Sequence, residues 1–291
     1  MNHSQETYFP EKLKKLLEES PDVGLNIHRC VYDQFLPGAV SQIRSIPATN
    51  LRSFKVSALG QSGYYTSPHA FQDLLVASTR LETLKFLFIL PFHPGSGRLP
   101  PIKSLALPTM PWNYSPDDVK RIWNFSRLQD FDIPGHVLRP FLESVPLEDL
   151  NQLKRLRVDD SCWPSGWPDP VEQYSKDEAL TRLLSKLLQN RCDFQELDIR
   201  CLLGLFDMSL ITKQGHSMMA LKLLDLAGFE GEGIFPTISL NDLKMVQHSC
   251  VRITKLDTGI NIIGGEVCLA FLGRLIAWPS TKVIPNRLRA F

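Results

Sequence analysis

The chain repeats a six-residue pattern in which positions 1, 4 and 6 are apolar and positions 2, 3 and 5 are mostly polar. The pattern occurs eight times along the 291 residues. Its copies are LRSFKV from Leu51, LETLKF from Leu81, IKSLAL from Ile102, LQDFDI from Leu128, LKRLRV from Leu153, FQELDI from Phe194, LKLLDL from Leu221 and a weaker ITKLDT from Ile253. Self-similarity of this kind is typical of repeat proteins, whose units stack on their neighbours and present a long surface.

The second half of each copy alternates apolar and polar residues, as in Leu156-Arg157-Val158 and Leu197-Asp198-Ile199. Alternation with a period of two predicts a β-strand that buries one face. We therefore expect the apolar residues at position 4 to be buried and stacked along one parallel sheet. These residues are Leu84, Leu105, Phe131, Leu156, Leu197, Leu224 and Leu256.

Helical patterns lie between the copies. Ser115 followed by Pro116 and two acidic residues is a helix start signal. A second helix is predicted to open at Ser175, a third to run from about Asn241, and a fourth to lie near residues 266–278. The alternation of strands and helices predicts an α/β solenoid with a parallel concave sheet and outer helices.

Three Pro- or Gly-rich stretches interrupt the repeats, and they are predicted to be loops: residues 91–101, 161–170 and 228–233. None is long enough to act as a linker between two domains. The sequence therefore predicts a capping or divergent segment over residues 1–50, a repeat domain over 51–281 and a tail over 282–291.

The eight copies and the intervening helices resemble an irregular leucine-rich repeat of the ribonuclease-inhibitor-like type. Their start positions are 51, 81, 102, 128, 153, 194, 221 and 253, and four of the seven steps fall within the roughly 20 to 29 residues usual for that repeat. The uneven steps and the Trp/Pro-rich insertion resemble fungal F-box-associated leucine-rich-repeat proteins. Such a resemblance implies substrate recognition within a cullin ubiquitin ligase. Residues 1–42 contain one predicted helix, near residues 11–19, and no clear F-box.

Composition narrows the class of partner. The net charge is +1, from 32 basic and 31 acidic residues, which gives no overall attraction to nucleic acid or to an anionic membrane. No apolar run reaches the roughly 20 residues of a membrane span. The polar start MNHSQETYFPEK does not resemble a signal peptide, so a cytoplasmic or nuclear location is expected.

Candidate chemical motifs are weak. The glycine-rich stretch from Gly228 to Gly233 contains two glutamates and is not followed by a helix start, which favours a turn over a phosphate loop. The seven histidines and six cysteines lack metal-ligand spacing. We therefore expect no catalytic, cofactor or metal site. Trp163 and Trp167 are candidates for a contact site, although they also suit a loop that folds back onto the core.

The polar strand positions carry charges of mixed sign, which a nucleic-acid groove would not. We expect a protein partner on this face, with Asp132, Arg155, Arg157 and Asp198 as the leading contacts. Salt bridges between neighbouring strands on a solvated face would give the same pattern. The predicted function is that of a recognition protein similar to F-box/leucine-rich-repeat subunits. In that role, a cullin-ligase adaptor would be a second partner of the protein. The alternatives are a free-standing scaffold or regulator and an enzyme with an unrecognised site.

Overall fold

The computed structural model describes residues 11–32, 39–58, 68–86, 97–107, 112–159, 170–190, 193–201, 205–225 and 240–258. The chain forms two compact units. The first comprises Met1–Ile133 with Pro140–Gln152, and the second comprises Pro134–Arg139 with Leu153–Phe291. Both units have the α/β composition that the alternating patterns predict.

Parallel strands form the sheet of each unit, and their spatial order follows the chain. The first unit has β1 (Leu25–Tyr32), β2 (Leu51–Ala58), β3 (Thr83–Phe86), β4 (Ser104–Ala106) and β5 (Asp130–Pro134). The second has β6 (Arg155–Asp159), β7 (Glu196–Cys201), β8 (Ala220–Asp225) and β9 (Lys255–Thr258). Parallel neighbours require a crossover connection, and helices supply most of these connections.

The helices are α1 (Glu11–Glu19), α2 (Ala39–Ser45), α3 (Pro68–Ala77), α4 (Pro116–Ile122), α5 (Gly135–Ser144), α6 (Pro170–Gln189), α7 (Ser209–Lys213) and α8 (Leu240–Ser249). The predicted start of α4 is confirmed: the Ser115 hydroxyl accepts a hydrogen bond from the amide of Asp118, in a capping box. The prediction for α6 was wrong by five residues, because the helix begins at Pro170 and not at Ser175. Proline suits a first helical turn, where its missing N–H is not needed. The helix predicted near residues 266–278 lies outside the described residues.

The three apolar positions of the repeated pattern form the core of the sheet. In the copy from Leu51, for example, Leu51, Phe54 and Val56 are completely buried. Position 4 is buried at six of its predicted residues: Leu84, Leu105, Phe131, Leu156, Leu197 and Leu256. The prediction of a parallel sheet with one buried face is confirmed at these residues.

The predicted frame of the copy from Leu221 is wrong, because the copy begins three residues earlier, at Met218. Leu197 pairs with Leu221, and Leu221 pairs in turn with Leu256, so that Leu221 and not Leu224 occupies position 4. Met218, which is fully buried, occupies position 1. The leucine-rich run satisfies the pattern in both frames, and strand pairing selects the earlier one.

A backbone hydrogen bond at position 2 joins successive copies in both units. In the first unit, the carbonyl of Arg52 accepts from the amide of Glu82 at 2.8 Å. In the second unit, Gln195 accepts from Met219 and Met219 accepts from Thr254, both at 2.8 Å. Met219 can join this series only if its copy begins at Met218, which supports the corrected frame.

Strand β1 was not identified from the sequence. It pairs with β2, with Ile27 opposite Phe54 and Cys30 opposite Val56. Two residues of β1, His28 and Arg29, therefore correspond to the single residue Lys55 of β2. This β-bulge breaks the alternation of apolar and polar residues. Within residues 1–50, the buried amide of Asn50 donates to the carbonyls of Leu17, Ser20 and Val23 at 2.9 to 3.3 Å and so fixes the end of α1.

Gln214 has a similar role in the second unit. Its fully buried side chain accepts from the amide of Phe194 at 3.2 Å and donates to the carbonyl of Leu188 at 3.3 Å. It thereby joins the end of α7 to the end of α6 and to the strand that follows. The next residue must be glycine, because a Cβ at Gly215 would lie 2.1 Å from the carbonyl oxygen of Ser249.

The corrected frame predicts different effects for two apolar side chains in the same copy. Leu221→Ala should lower the free energy of unfolding by roughly 2 to 5 kcal/mol, the usual loss for a buried leucine. Met219→Ala, at a side chain that is 38% exposed, should lower it by less than about 1 kcal/mol. Urea denaturation followed by circular dichroism measures both. Equal losses would contradict the frame.

Replacing Gln214 with leucine should also destabilise the fold. The buried amide of Phe194 and the carbonyl of Leu188 would both lose a hydrogen bond to this side chain, and a buried polar group left unsatisfied costs about 1 to 3 kcal/mol. Gln247→Leu on α8, at a half-buried glutamine, is the matched control and should change stability by about 0.5 kcal/mol or less. A Gln214→Leu protein as stable as the control would show that these hydrogen bonds contribute little.

Candidate interaction face of the sheet

The polar positions of the strands form columns of side chains that alternate with the buried ones. In the second unit, position 5 of the four strands is occupied by Arg157, Asp198, Lys222 and Asp257, which are neighbours in the strand register. We refer to these four residues as the charge row. Their charges alternate in sign from strand to strand, so each basic side chain has an acidic neighbour.

Ion pairs connect three members of the charge row. The Arg157 guanidinium lies 3.8 Å from the Asp198 carboxylate through its Nε, and its Nη2 donates to Glu196 at 3.1 Å. The Lys222 ammonium lies 3.3 Å from Asp198. Asp198 therefore receives a cation from each side, in the arrangement that opposite charges on neighbouring strands favour.

Asp198 is more enclosed than either cation that it pairs with, because its side chain is 19% exposed and those of Arg157 and Lys222 are 53% and 37% exposed. Burial raises the pKa of its carboxyl above the ordinary value, because the low-dielectric surroundings penalise the charged form. Lys222 and Arg157 oppose this rise, and the negative charge of Asp257 adds to it. The two cations thus help keep a partly buried carboxylate ionised.

Position 3 of the same strands forms a second column. Arg155 lies opposite Glu196, Glu196 lies opposite Ala220, and Ala220 lies opposite Lys255. The side chains of Arg155 and Lys255 are exposed. The second unit therefore presents a face with more positive than negative charge at position 3 and balanced charge at position 5.

The structure brings together three of the four residues predicted as contacts. Arg155, Arg157 and Asp198 lie on the neighbouring strands β6 and β7. Asp132 belongs to the first unit, where it is half-buried on β5 and its carbonyl accepts from the amide of Leu107 at 2.9 Å. The predicted set thus comprises a cluster in one unit and an acid in the other.

Lys222 is the member of the charge row that sequence reasoning missed. The misplaced frame assigned Asp225 to position 5, which gave two acids where the strands carry a lysine and an acid. The sequence also allows the earlier frame, because Met218 is apolar and lies three residues before Leu221, but only the strand pairing selects that frame. Strand pairing also explains the mixed sign of the face, which comes from alternation between strands.

The first unit presents a different set of polar positions. Position 5 is occupied by Lys55, Lys85, Ala106 and Asp132 on β2 to β5. Position 3 is occupied by Ser53, Thr83, Ser104 and Asp130. Two lysines therefore stand directly opposite each other, and a column of hydroxyl residues runs beside them.

The described residues contain no group of three or more His, Cys, Asp or Glu side chains that could hold a metal ion. Burial raises the pKa of the Cys30 and Cys250 thiols to about 11, which keeps both protonated at neutral pH. No helix within the described ranges is long and apolar enough to cross a membrane. Residues 228–233, Trp163 and Trp167 lie outside the described residues.

No protein-family model matches the chain, and no curated protein does.

Removing Lys222 should shift the titration of Asp198. Lys222→Met takes away a positive charge that favours the ionised carboxylate, so the pKa of Asp198 should rise further. Nuclear magnetic resonance of the carboxyl carbon during a pH titration measures the change. Lys213→Met is the control, because Lys213 acts on Asp207 and not on Asp198. A pKa of Asp198 that falls in Lys222→Met would contradict the geometry of the charge row.

Proposed function

We propose that the protein is a recognition module that binds another protein through the polar strand face of its second unit. Arg155, Arg157 and Asp198 are the leading contacts on this face. The observation that carries the proposal is the charge row, in which successive strands hold side chains of alternating sign in fixed register. A patterned surface of this kind favours a partner with the complementary pattern and opposes others.

Arg157 is well placed for directed contacts. Glu196 and Asp198 hold its guanidinium from the neighbouring strand, yet 53% of its side chain remains exposed. A guanidinium has five N–H donors in a planar fork, so it can keep these ion pairs and still donate to a partner. Because its conformation is already restrained, binding would cost less side-chain entropy than at a mobile arginine.

The fold supports a finer assignment to the leucine-rich repeats. Strands of a fixed six-residue pattern pair in parallel, and helices connect most of them, as in proteins of that class. We propose the horseshoe arrangement of such repeats and a role like that of F-box-associated recognition proteins in a ubiquitin ligase. The alternative within the same class is a scaffold or regulator that binds its partner without a ligase.

Charge reversal at Arg155 tests the proposed contact face. Arg155→Glu should weaken the isolated complex at least about tenfold, because arginines at binding hot spots contribute about 2 kcal/mol or more. Arg155 is preferred over Arg157 for reversal, since a glutamate at 157 would replace a guanidinium that pairs with both Glu196 and Asp198, whereas on β7 a glutamate at 155 would lie opposite Glu196 alone. Affinity purification with mass spectrometry identifies the partner, and calorimetry then measures the Kd.

Lys120→Glu is the matched control, because Lys120 is an exposed cation on α4 rather than on a strand. It should change the Kd by less than about twofold, in the range of a charge outside the contact. Equal weakening by both substitutions would indicate non-specific attraction. Unchanged affinity in Arg155→Glu would reject the proposed face. Binding of a purified cullin-ligase adaptor to the full chain separates the ligase role from that of a free-standing scaffold.

A further inference from the structure

The two lysines on the first unit differ from every basic residue of the charge row, because each has a like charge as its strand neighbour. Lys55 on β2 and Lys85 on β3 are register partners at position 5. We infer that these lysines, together with the hydroxyl column beside them, form an anion-binding strip for an acidic segment of a protein partner. We refer to Lys55, Lys85, Ser53, Thr83 and Ser104 as the basic strip.

The lysine pair is electrostatically unfavourable in the isolated chain. Neighbouring parallel strands lie about 4.8 Å apart, which is well within the roughly 8 Å over which physiological salt screens charge. Lys55 is exposed, and Lys85 is half-buried, so water shields the second lysine less completely. Like charges on directly opposite residues of neighbouring strands are destabilising, and an external negative charge would remove that cost.

No acidic side chain of the described residues pairs with either lysine. Glu82, the acidic residue nearest to Lys85 in sequence, pairs with Lys103 at 2.9 Å, and that hydrogen bond is the main cause of its lowered pKa. Within the part of the chain that the structure describes, neither Lys55 nor Lys85 forms an ion pair. In the charge row, by contrast, Arg157 and Lys222 both lie beside Asp198.

Hydroxyl donors accompany the lysines. Ser53, Thr83 and Ser104 are register neighbours at position 3 on β2, β3 and β4, and all three are half-buried. Among the described residues, none of these hydroxyls is engaged in a hydrogen bond. His28, which is exposed, lies in the β-bulge opposite Lys55 and extends the row of potential donors to β1. Carboxylates accept hydrogen bonds from ammonium and hydroxyl groups alike.

The strip suits a short acidic segment better than a long polyanion. Asp130 and Asp132 occupy positions 3 and 5 on β5, two strands beyond Lys85. At about 4.8 Å per strand, the backbones of these acids lie roughly 10 Å from that of Lys85. Both acids would repel a nucleic acid or an anionic membrane that extends across the face. An extended peptide places alternate side chains about 7 Å apart, so two of its carboxylates can reach the two lysines and the hydroxyl column.

Peptide binding to the full chain tests the inference. The probe is a fluorescein-labelled glutamate-rich peptide, and its control is the same peptide with glutamine at every glutamate. Fluorescence anisotropy should show binding of the first peptide only, weakening as salt is added. Lys55→Gln and Lys85→Gln should each raise the Kd by roughly two- to fivefold, the range of an exposed ion pair. Lys120→Gln on α4, a matched exposed lysine in the same unit, should leave it unchanged.

Thermal unfolding gives an independent measurement. If the lysines repel each other, replacing either one with glutamine should leave Tm unchanged or raise it while peptide binding weakens. A clear fall in Tm in either variant would overturn the inference, because it would show that the lysines have a stabilising role. Equal binding of the glutamate and glutamine peptides would overturn it as well.

Other occupants of the strip give different results. If the acids of a second copy bind there, the protein should sediment as a dimer that Lys85→Gln dissociates, which would contradict the inference. Lysine-dependent binding to phosphatidylserine vesicles without peptide binding would also contradict it.

The Arg155→Glu variant separates the basic strip from the proposed contact face of the second unit. If Arg155→Glu loses peptide binding while Lys55→Gln and Lys85→Gln retain it, only the inference about the basic strip is overturned.

Discussion

The fold of each unit depends on one recurring backbone hydrogen bond, which the carbonyl at position 2 of a copy accepts from the amide at position 2 of the next copy in the same unit. The bond from Glu82 to Arg52 and the bond from Thr254 to Met219 both measure 2.8 Å, although the copies differ in sequence and in the length of chain between them. Because this bond fixes the parallel register, position 4 of one strand lies beside position 4 of the next. The apolar core and the polar columns are both consequences of that register.

The core was predictable because burial on one face of a strand imposes a period of two, and three apolar positions per copy make that period visible. The frame of the copy at Met218 was not predictable in the same way. Its sequence MMALKLLDL fits the pattern from Met218 and from Leu221, and only the strand neighbours distinguish the two. Strand β1 was not recognised because its β-bulge sets two residues of β1 against one residue of β2, which interrupts the alternation of apolar and polar residues.

The charged residues of the candidate face were predictable as a set, but their pairing was not. Arg157 and Asp198 could be assigned to outward positions from the sequence, whereas their contact requires β6 and β7 to be neighbours. The repeat predicts that the two strands are neighbours and allows salt bridges between them, but which charged side chains pair depends on the strand register. Lys222 completes the alternation only in the corrected frame. The raised pKa of Asp198 likewise depends on its burial by neighbouring strands, which a list of charges does not contain.

The polar faces of the two units differ in whether their charges are paired within the chain, and this difference affects how each face could bind a partner. In the second unit, internal ion pairs already connect three members of the charge row, so a partner would gain mainly from side chains that are held in place. In the first unit, Lys55 and Lys85 repel each other and lack an internal acid among the described residues, so a partner would gain by supplying the missing charge. Sequences selected for stability alone tend to remove such a pair, because one lysine-to-glutamine change relieves the repulsion. Its presence on adjacent strands is therefore the kind of local conflict that accompanies a binding requirement.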